Sequence, residues 1–286
     1  MKKSVKVFLA SLMIFAGLFG VETIFAEQIN INDISLVAYW TFDEENVKKT
    51  EEGYAIIDSS NYGNDGNSIG CKIVKGVFGN AMLFNGETDC AEFPLPRSLS
   101  LTFTDKMTVM FWISPIDVRG KKQYFIIGDD GSNSGWQISR YSNGNRFFFI
   151  LGGIAPAPGI EEMVSKTATG RGPKGWTHVT ATFDKSLPEN NIKVYINGKC
   201  SLTDNGLFRC EDKKDDIKLS TGRSPISVGR FRACPSWGKL KGAIDELLMY
   251  KRCLTEKEIK ADYERGKALS KQAAPFADAW LDMIDK

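Results

Sequence analysis

Two neighbouring segments, GWTHVTATFD at residues 175–184 and VYINGK at residues 194–199, decide the fold class. Both are rich in the β-branched and aromatic residues that favour strands. The second ends in Asn197-Gly198, a dipeptide that accepts positive φ at little cost and is typical of two-residue hairpin turns. We therefore predict strands over residues 177–183 and 192–196, with a hairpin turn directly after the second.

Segments of the same kind recur along the chain, separated by Gly, Asn, Asp and Pro. Many short strands with turn residues between them indicate an all-β sandwich or barrel rather than βαβ units. The Asn-Gly pairs at residues 143–144 and 205–206 repeat the hairpin signal. The further predicted strands are residues 36–42, 81–84, 107–113, 124–127, 135–141, 146–151, 226–228 and 243–250.

Helix is predicted only near the end of the chain. Thr255 followed by Glu258 forms a capping box, so a helix should begin there, run to about Arg265 and stop at Gly266. A second, amphipathic helix is predicted over residues 272–285, with an apolar stripe of Phe276, Trp280, Met283 and Ile284. This tail either packs back on the domain or docks onto a partner.

Residues 1–26 have the layout of a secretory signal peptide. A basic start with Lys2, Lys3 and Lys6 precedes an apolar run over residues 7–21, and Ala26 followed by Glu27 suits cleavage. The alternative is a retained membrane anchor, but the apolar run is shorter than the roughly 20 residues that span a bilayer. We predict a signal peptide at 1–26, a domain at 27–266 and a helical tail at 267–286.

Removing this leader changes the charge balance. It contains three of the 37 Lys and Arg residues and one of the 35 Asp and Glu residues, which leaves 34 of each. A net charge of zero argues against nucleic acid or an anionic membrane surface as a partner. The mature protein is expected outside the cytoplasm, in a periplasm or at the cell exterior, without a membrane span.

All six cysteines follow the leader. An even number in an oxidising compartment favours disulfides, although six cysteines allow 15 pairings. Nearness in sequence suggests Cys71–Cys90, Cys200–Cys210 and Cys234–Cys253. Zinc ligation is the alternative, but the chain has no C-x-x-C and only one histidine, His178.

Several segments, in order along the chain, resemble the laminin-G-like jelly-roll family. The resemblance implies an all-β, two-sheet antiparallel jelly-roll sandwich of the concanavalin A-like type with a short C-terminal helical extension. The segments are AYWTFDE at 38–44, DSSNYGNDG at 58–66, GVFGNAMLFNG at 76–86, MTVMFWISP at 107–115, GWTHVTATFD at 175–184, VYINGK at 194–199, GAIDEL at 242–247 and YKRCLTEKEI at 250–259.

The resemblance also implies a calcium site, because many such domains bind a calcium ion where the first strand meets the last. Asp43 and Asp245 occupy the two family positions, and the loop with Asn64 and Asp65 could add further oxygens. Calcium takes six to eight oxygen ligands, and a cation relieves the repulsion between adjacent carboxylates. Alternatively, Asp43 and Asp245 only accept hydrogen bonds from backbone N–H groups.

For an organic ligand we single out Trp237, on a predicted loop beside a cysteine, together with Tyr141 and Arg140. Aromatic faces stack on the apolar faces of sugars, and Arg donates hydrogen bonds. A purely structural role for Trp237 is equally compatible with the sequence.

Catalysis is not expected. A retaining glycosidase needs two carboxylates about 5–5.5 Å apart, and the E-x-D-x-E run that the glucanases of this fold carry does not occur. Asp245 and Glu246 are consecutive, so in a regular strand they would point to opposite faces. We therefore expect a secreted, calcium-supported module that binds carbohydrate or an extracellular protein. A structural or adhesive cell-surface component is the alternative, and a glycoside hydrolase is the less favoured one.

Overall fold

A computed structural model describes residues 29–93, 105–116, 123–129, 135–141, 146–152, 166–172, 175–184, 186–187, 192–201, 225–230 and 238–284. These residues form 17 strands, one 3-10 turn at Glu44–Asn46 and one helix, α1, at Glu256–Ile284. The strands are β1 Leu36–Trp40, β2 Val47–Lys49, β3 Gly53–Ile56, β4 Gly66–Ile69, β5 Lys72–Lys75, β6 Asn80–Asn85, β7 Cys90–Phe93, β8 Lys106–Pro115, β9 Gln123–Asp129, β10 Gly135–Tyr141, β11 Arg146–Gly152, β12 Lys166–Arg171, β13 Thr177–Asp184, β14 Ile192–Ile196, β15 Lys199–Ser201, β16 Ile226–Val228 and β17 Lys241–Tyr250.

The strands form two antiparallel sheets, which confirms the predicted sandwich. An eight-stranded sheet has the order β15-β14-β13-β8-β17-β6-β5, with β1 also paired to β17. A nine-stranded sheet has the order β12-β11-β10-β9-β16-β7-β4-β3-β2. The predicted hairpin is present between β14 and β15, where Asn197 and Gly198 have φ angles of 52° and 74°.

The main core lies between the two sheets. Alternate residues of β13, including Val179 and Phe183, point into it, as the two-residue period of a strand requires. Trp40 of β1 stacks on Phe93 of β7 at 3.8 Å between ring centroids, which joins the two sheets. Each fully buried Phe contributes roughly 1.5–3 kcal/mol through removal of its surface from water.

The opposite face of the eight-stranded sheet is also buried, because α1 packs across it. We call this face the helix side. Trp112 of β8 stacks on Tyr263 of α1 at 5.9 Å, and Ile259 is fully buried there. Coverage on both faces explains why β13 is buried along nearly its whole length.

Helix α1 begins as predicted but does not stop at Gly266. Thr255 Oγ1 accepts a hydrogen bond from the Glu258 N–H, and Glu258 Oε2 accepts one from the Thr255 N–H, which completes the capping box. The helix continues through Gly266 to Ile284. A Cβ atom at Gly266 would lie 2.5 Å from Trp112 Cζ2, so this glycine permits close packing rather than ending the helix. None of the helical segments that the structure describes has the length and apolar character to cross a membrane.

Candidate functional site

A β-bulge in β17 brings two acidic residues to the helix side of the sheet. Asp245 pairs with Trp112, whereas the next pair is Leu248 with Met110, so one extra residue is accommodated between them. Glu246 has a φ of 51° at this bulge. The expectation that Asp245 and Glu246 point to opposite faces is wrong, because a bulge interrupts the two-residue alternation of a strand.

Asp245 is completely buried and holds the turn between β5 and β6. Its Oδ2 accepts hydrogen bonds from the N–H groups of Val77 at 2.7 Å and Phe78 at 2.9 Å. Its Oδ1 has no hydrogen-bond partner in the described part of the chain. Burial, and then the neighbouring Glu246 carboxylate, raise the pKa of Asp245 well above its usual value, because a buried unsatisfied anion is costly.

Asp43 approaches the same turn from the end of β1. Its Oδ1 accepts a hydrogen bond from the Asn80 N–H at 2.7 Å, and its charge acts on Asp245. Burial raises the pKa of Asp43 as well. The turn fits between the two carboxylates only because it has glycines at both ends: a Cβ at Gly76 would lie 2.5 Å from Asp245 Oδ2, and one at Gly79 would lie 1.9 Å from Asp43 Oδ1.

Asn64 and Asp65 do not join this pair. The Asn64 side-chain amide donates to the Val37 carbonyl at 2.6 Å, and the backbone carbonyl of Asn64 accepts the Trp40 indole N–H at 2.9 Å. Asp65 Oδ1 accepts the Asp58 N–H. No three acidic, His or Cys side chains of the described residues form a metal-binding group. The side chains of Asp43 and Asp245 meet the Gly76–Gly79 turn, whereas those of Asn64 and Asp65 bind elsewhere, and calcium ligation stays a prediction.

The two remaining carboxylates fit a calcium ion. A hard cation would satisfy the unpartnered Asp245 Oδ1 and would reduce the repulsion between Asp43 and Asp245. Backbone carbonyls and water would have to supply the other oxygens. Oxygen donors are the kind that calcium takes, whereas structural zinc sites are built mostly from Cys and His.

Glu246 belongs to a buried network that sequence reasoning missed. Its Oε2 accepts hydrogen bonds from the Tyr39 hydroxyl at 2.8 Å and from Arg265 Nη2 at 2.7 Å. Arg265 also contacts Asp262 Oδ1 at 3.1 Å, and Asp262 Oδ2 lies 3.0 Å from His178 Nε2. Burial raises the pKa of Glu246 despite Arg265, whereas the hydrogen bond to His178 holds the pKa of Asp262 below its usual value against the effect of burial. The spacing of Asp262 and Arg265 on one helix face was the available signal.

This network also assigns the only histidine a structural position. His178 is 0% exposed and packs against Trp112. Asp245 and Glu246 are 0% and 2% exposed. A substrate cannot reach any of these three side chains, because all three are buried.

The three predicted ligand-binding residues are placed differently from one another. Arg140 is 5% exposed and lies over the Tyr124 ring at 5.8 Å, so it is not part of an exposed platform. Tyr141 is half-buried against Phe148, 4.7 Å between centroids. Trp237 lies outside the described residues, but Gly238, the next residue, forms a parallel bridge with Tyr124. The backbone therefore brings residue 238 to the strand beside Tyr141.

An open recess of about 740 Å³ lies elsewhere on the nine-stranded sheet. It was not predicted from the sequence. One of its three glutamates, Glu92, forms an ion pair with Arg230 at 2.8 Å. Its lining consists of Thr50, Glu51, Glu52, Asn67, Ser68, Ile69, Glu92 and Pro225.

The cysteines are only partly within the described residues. Cys71 and Cys90 are both buried, and Cys71 Sγ lies 3.5 Å from the Cys90 carbonyl oxygen. Cys71, Cys200 and Cys253 carry thiols in the structure, and burial raises the pKa of Cys71. Cys210 and Cys234 lie outside the described residues, as does the predicted signal peptide at 1–26, so the pairings Cys200–Cys210 and Cys234–Cys253 stay predictions.

Comparison with known families identifies the fold at the level of a superfamily. Residues 85–260 match the family model described as the concanavalin A-like lectin/glucanases superfamily. The chain belongs to this superfamily. The lectin/glucanase description covers both sugar-binding and sugar-cleaving proteins, so membership by itself leaves the activity open. No curated protein matches the chain.

Solved structures that are similar to this chain include binding domains of botulinum neurotoxins. The binding domain of neurotoxin DC in complex with SialylT is 18% identical with a TM-score of 0.60, covering 82% of this chain and 52% of that one. The same domain in complex with rat synaptotagmin II is 17% identical with a TM-score of 0.58, covering 81% and 52%. A neurotoxin C structure titled for its interaction with two ganglioside molecules is 19% identical with a TM-score of 0.59, covering 83% and 52%. The chain spans about half the length of these structures, and the likeness concerns the fold.

Proposed function

We propose that this protein is a secreted, non-catalytic recognition module that binds carbohydrate or an extracellular protein with the support of a calcium ion. The observation that carries the proposal is the lectin/glucanase-type sandwich in which the adjacent carboxylates of Asp245 and Glu246 are both buried. Carboxylates in that position can hold structure together but cannot meet a glycan. The complexes of the neurotoxin DC domain with SialylT and with rat synaptotagmin II, and the interaction of neurotoxin C with two ganglioside molecules, support recognition as a role of such a sandwich.

Calcium would be held by Asp43 and Asp245 at the Gly76–Gly79 turn. A ligand that binds only the folded state at 100 times its Kd stabilises the protein by about 2.7 kcal/mol. We therefore expect calcium to raise the Tm of the protein by about 5–10 °C relative to chelator. Asp245→Asn and Asp43→Asn should abolish this shift.

Asp65→Asn is the matched control for the calcium experiment. It changes an aspartate whose contacts lie in a different loop, and an asparagine oxygen can still accept the Asp58 N–H. The shift should persist in this variant. An equal loss in all three variants, or no calcium effect on the wild type, would remove calcium from the proposal.

Ligand recognition can be tested with a glycan array and with immobilised extracellular proteins, each with calcium and with chelator. Tyr141→Ala should weaken binding, because Tyr141 lies beside the strand that meets residue 238. Tyr54→Ala is the matched control, since Tyr54 is also half-buried but lies near the other edge of the nine-stranded sheet. Equal effects of the two variants would argue against the Tyr141 surface.

Glycoside hydrolysis is an alternative function that should be tested, because three glutamates, Glu51, Glu52 and Glu92, line one recess. A hydrolase would release reducing sugar from a glucan or galactan, and Glu92→Gln would lower that rate. The recognition proposal predicts no release by the wild type above that of heat-denatured protein.

The adhesive rival places the partner on the C-terminal part of α1. A chain ending at residue 273 keeps the described helix–sheet packing, including Ala273. A recognition module of this shape would keep its ligand, whereas an assembly component would lose its partner.

Mass spectrometry of the protein recovered outside the cell can test both signal-peptide cleavage and disulfide formation. The proposal predicts an N-terminus at Glu27 and a Cys71–Cys90 cross-link, since the Cys71 sulfur lies 3.5 Å from the Cys90 carbonyl oxygen and both residues are buried. Recovery of a protein that still begins at residue 1 would contradict cleavage before Glu27. Alkylation of Cys71 in the denatured, unreduced protein would contradict the disulfide.

A further inference from the structure

The turn that carries the candidate cation site also forms part of the surface on which α1 packs. The Phe78 N–H donates to Asp245 Oδ2, so the backbone of Phe78 belongs to the site. Its ring lies under the Arg265 guanidinium, 3.9 Å from the Arg265 Cζ. One residue thus has its main chain in the cation site and its side chain in the helix interface.

Gly266 sets how closely the helix approaches this ring. A Cβ at Gly266 would lie 2.9 Å from Phe78 Cε2 and 2.5 Å from Trp112 Cζ2. Contacts under 3 Å cannot be kept, so any side chain at residue 266 must push the helix away from both aromatic rings.

A second connection runs through the bulge. Asp245 faces the turn, and its neighbour Glu246 binds Arg265 and Tyr39. Glu246 adopts a positive φ, a conformation that costs free energy and persists only where the surrounding contacts impose it. Asp245 therefore cannot shift without moving a residue that holds the helix.

We infer that cation binding at the Asp43–Asp245 turn and docking of α1 on the helix side strengthen each other, with Phe78 and Gly266 as the positioning residues. This inference rests on the proposed calcium site and goes beyond it. Coupling of this kind is reciprocal: if helix docking tightens cation binding, cation binding must stabilise the docked helix by the same factor.

Hydrogen–deuterium exchange of the full chain tests one direction. Calcium should slow amide exchange over residues 259–273 of α1, compared with chelator. Strand β10, in the other sheet, is the reference segment and should change less. Calcium binding without any change in the helix overturns the coupling and leaves the calcium site standing.

Calorimetric titration with Ca²⁺ tests the other direction. Phe78→Leu and Gly266→Ala carry no charge change and should weaken the Kd for calcium by about fivefold or more, the lower range of typical couplings. Phe78→Tyr keeps the ring and should restore wild-type affinity. Leu269→Ala, an exposed position on the same helix, is the control and should leave the Kd unchanged. Arg265 is unsuitable, because its charge would act on the cation directly.

The outcomes separate the two ideas. A purely structural role for Phe78 predicts a lower Tm without calcium and an unchanged Kd, and this result would overturn the inference. If the wild type binds no calcium, both the calcium proposal and the coupling fall. If Gly266→Ala does not fold, Phe78→Leu and the exchange experiment on the wild type still decide.

Discussion

Glu246 shows how the backbone conformation of one residue can place two consecutive side chains on the same face of a sheet. Its positive φ lets two consecutive carboxylates share the helix side, where one holds a turn and the other holds a helix. Such a conformation in a non-glycine residue costs on the order of 1–3 kcal/mol. The ion pair with Arg265 and the Tyr39 hydroxyl offset that cost.

At Gly79 we predict that substitution by Ala lowers stability in two ways, through a steric clash and through the positive φ, and that a second glycine variant separates the two. Gly79→Ala places a methyl group against Asp43 at a φ of 48°, whereas Gly63→Ala has a φ of 66° with nothing within 4 Å. Both variants should lose roughly 1 kcal/mol from the positive φ, and Gly79→Ala should lose more. Urea denaturation with and without calcium measures this, and only Gly79→Ala should lose the calcium effect. Equal behaviour of the two variants would contradict the geometry.

Asn64 is predicted to act in folding rather than in cation binding. Asn64→Ala removes the donor to the Val37 carbonyl, and an unsatisfied buried acceptor costs about 1–3 kcal/mol. The Tm should fall, while the increase in Tm on adding calcium should stay the same size. A loss of that increase would return Asn64 to the calcium ligands.

At the scale of elements, ion pairs hold helix α1 against the sandwich at two places, at its start and about three turns further along. Arg252 binds Asp33 and Glu258 at its start, at 2.9 and 2.6 Å, and Arg265 binds Glu246 further along. The first cluster is half-exposed and the second is buried. Ion pairs of the first kind contribute little, typically below 1 kcal/mol, whereas breaking one of the second kind costs about 3–5 kcal/mol.

The start of α1 should make stability depend on pH in the acid range. The hydrogen bond from Arg252 lowers the pKa of Glu258 to about 2. A lowered pKa means that the stabilisation is present above the unfolded value near 4.5 and is lost as the pH falls towards 2. The difference in free energy of unfolding between wild type and Glu258→Gln should therefore shrink over this range, measured by urea denaturation.

Arg252→Gln is the control for that experiment. It removes the largest cause of the pKa shift and leaves the hydrogen bonds from Thr255, so adding Glu258→Gln to it should have a smaller effect than in the wild type. A constant difference between wild type and Glu258→Gln from pH 6 to pH 2 would show that this ion pair does not contribute.

For the whole molecule, the helix is predicted to be part of the folding unit. A chain ending at residue 254 would expose Trp112 and leave Glu246 and His178 without Arg265 and Asp262. With a total stability of about 5–15 kcal/mol, this loss should prevent cooperative folding. A chain ending at residue 273 should unfold cooperatively by circular dichroism, with a Tm near that of the full chain. A stable 254-residue chain would contradict this.

The longer strands were predictable because their signal is local. The strand over residues 177–183 agrees with β13, and residues 192–196 agree with β14. The three- or four-residue strands β2 to β5 were not predicted. Such short strands carry too little pattern of their own and are stabilised by pairing with distant partners.

The candidate site was predictable in part. Asp43 and Asp245 came from a resemblance, and the structure places both at the Gly76–Gly79 turn. Asn64 and Asp65 were assigned to the site because their loop could supply further oxygen ligands, but the presence of oxygen atoms does not say which groups such a loop will bind. Arg140 illustrates the same limit, since a strand residue faces the core or the solvent according to its register.

The sequence by itself determined the all-β class, the hairpin at Asn197-Gly198 and the capped start of α1, because strand preference, turn preference and capping act between residues a few positions apart. The two-sheet sandwich was implied by the resemblance to the jelly-roll family. Only the tertiary structure decided that Asp245 and Glu246 share a face, that Gly266 lies inside the helix and that His178 is enclosed. Those outcomes depend on a bulge and on helix–sheet packing, which join residues far apart in the chain. Long-range contacts of that kind override local preference wherever burial contributes more free energy.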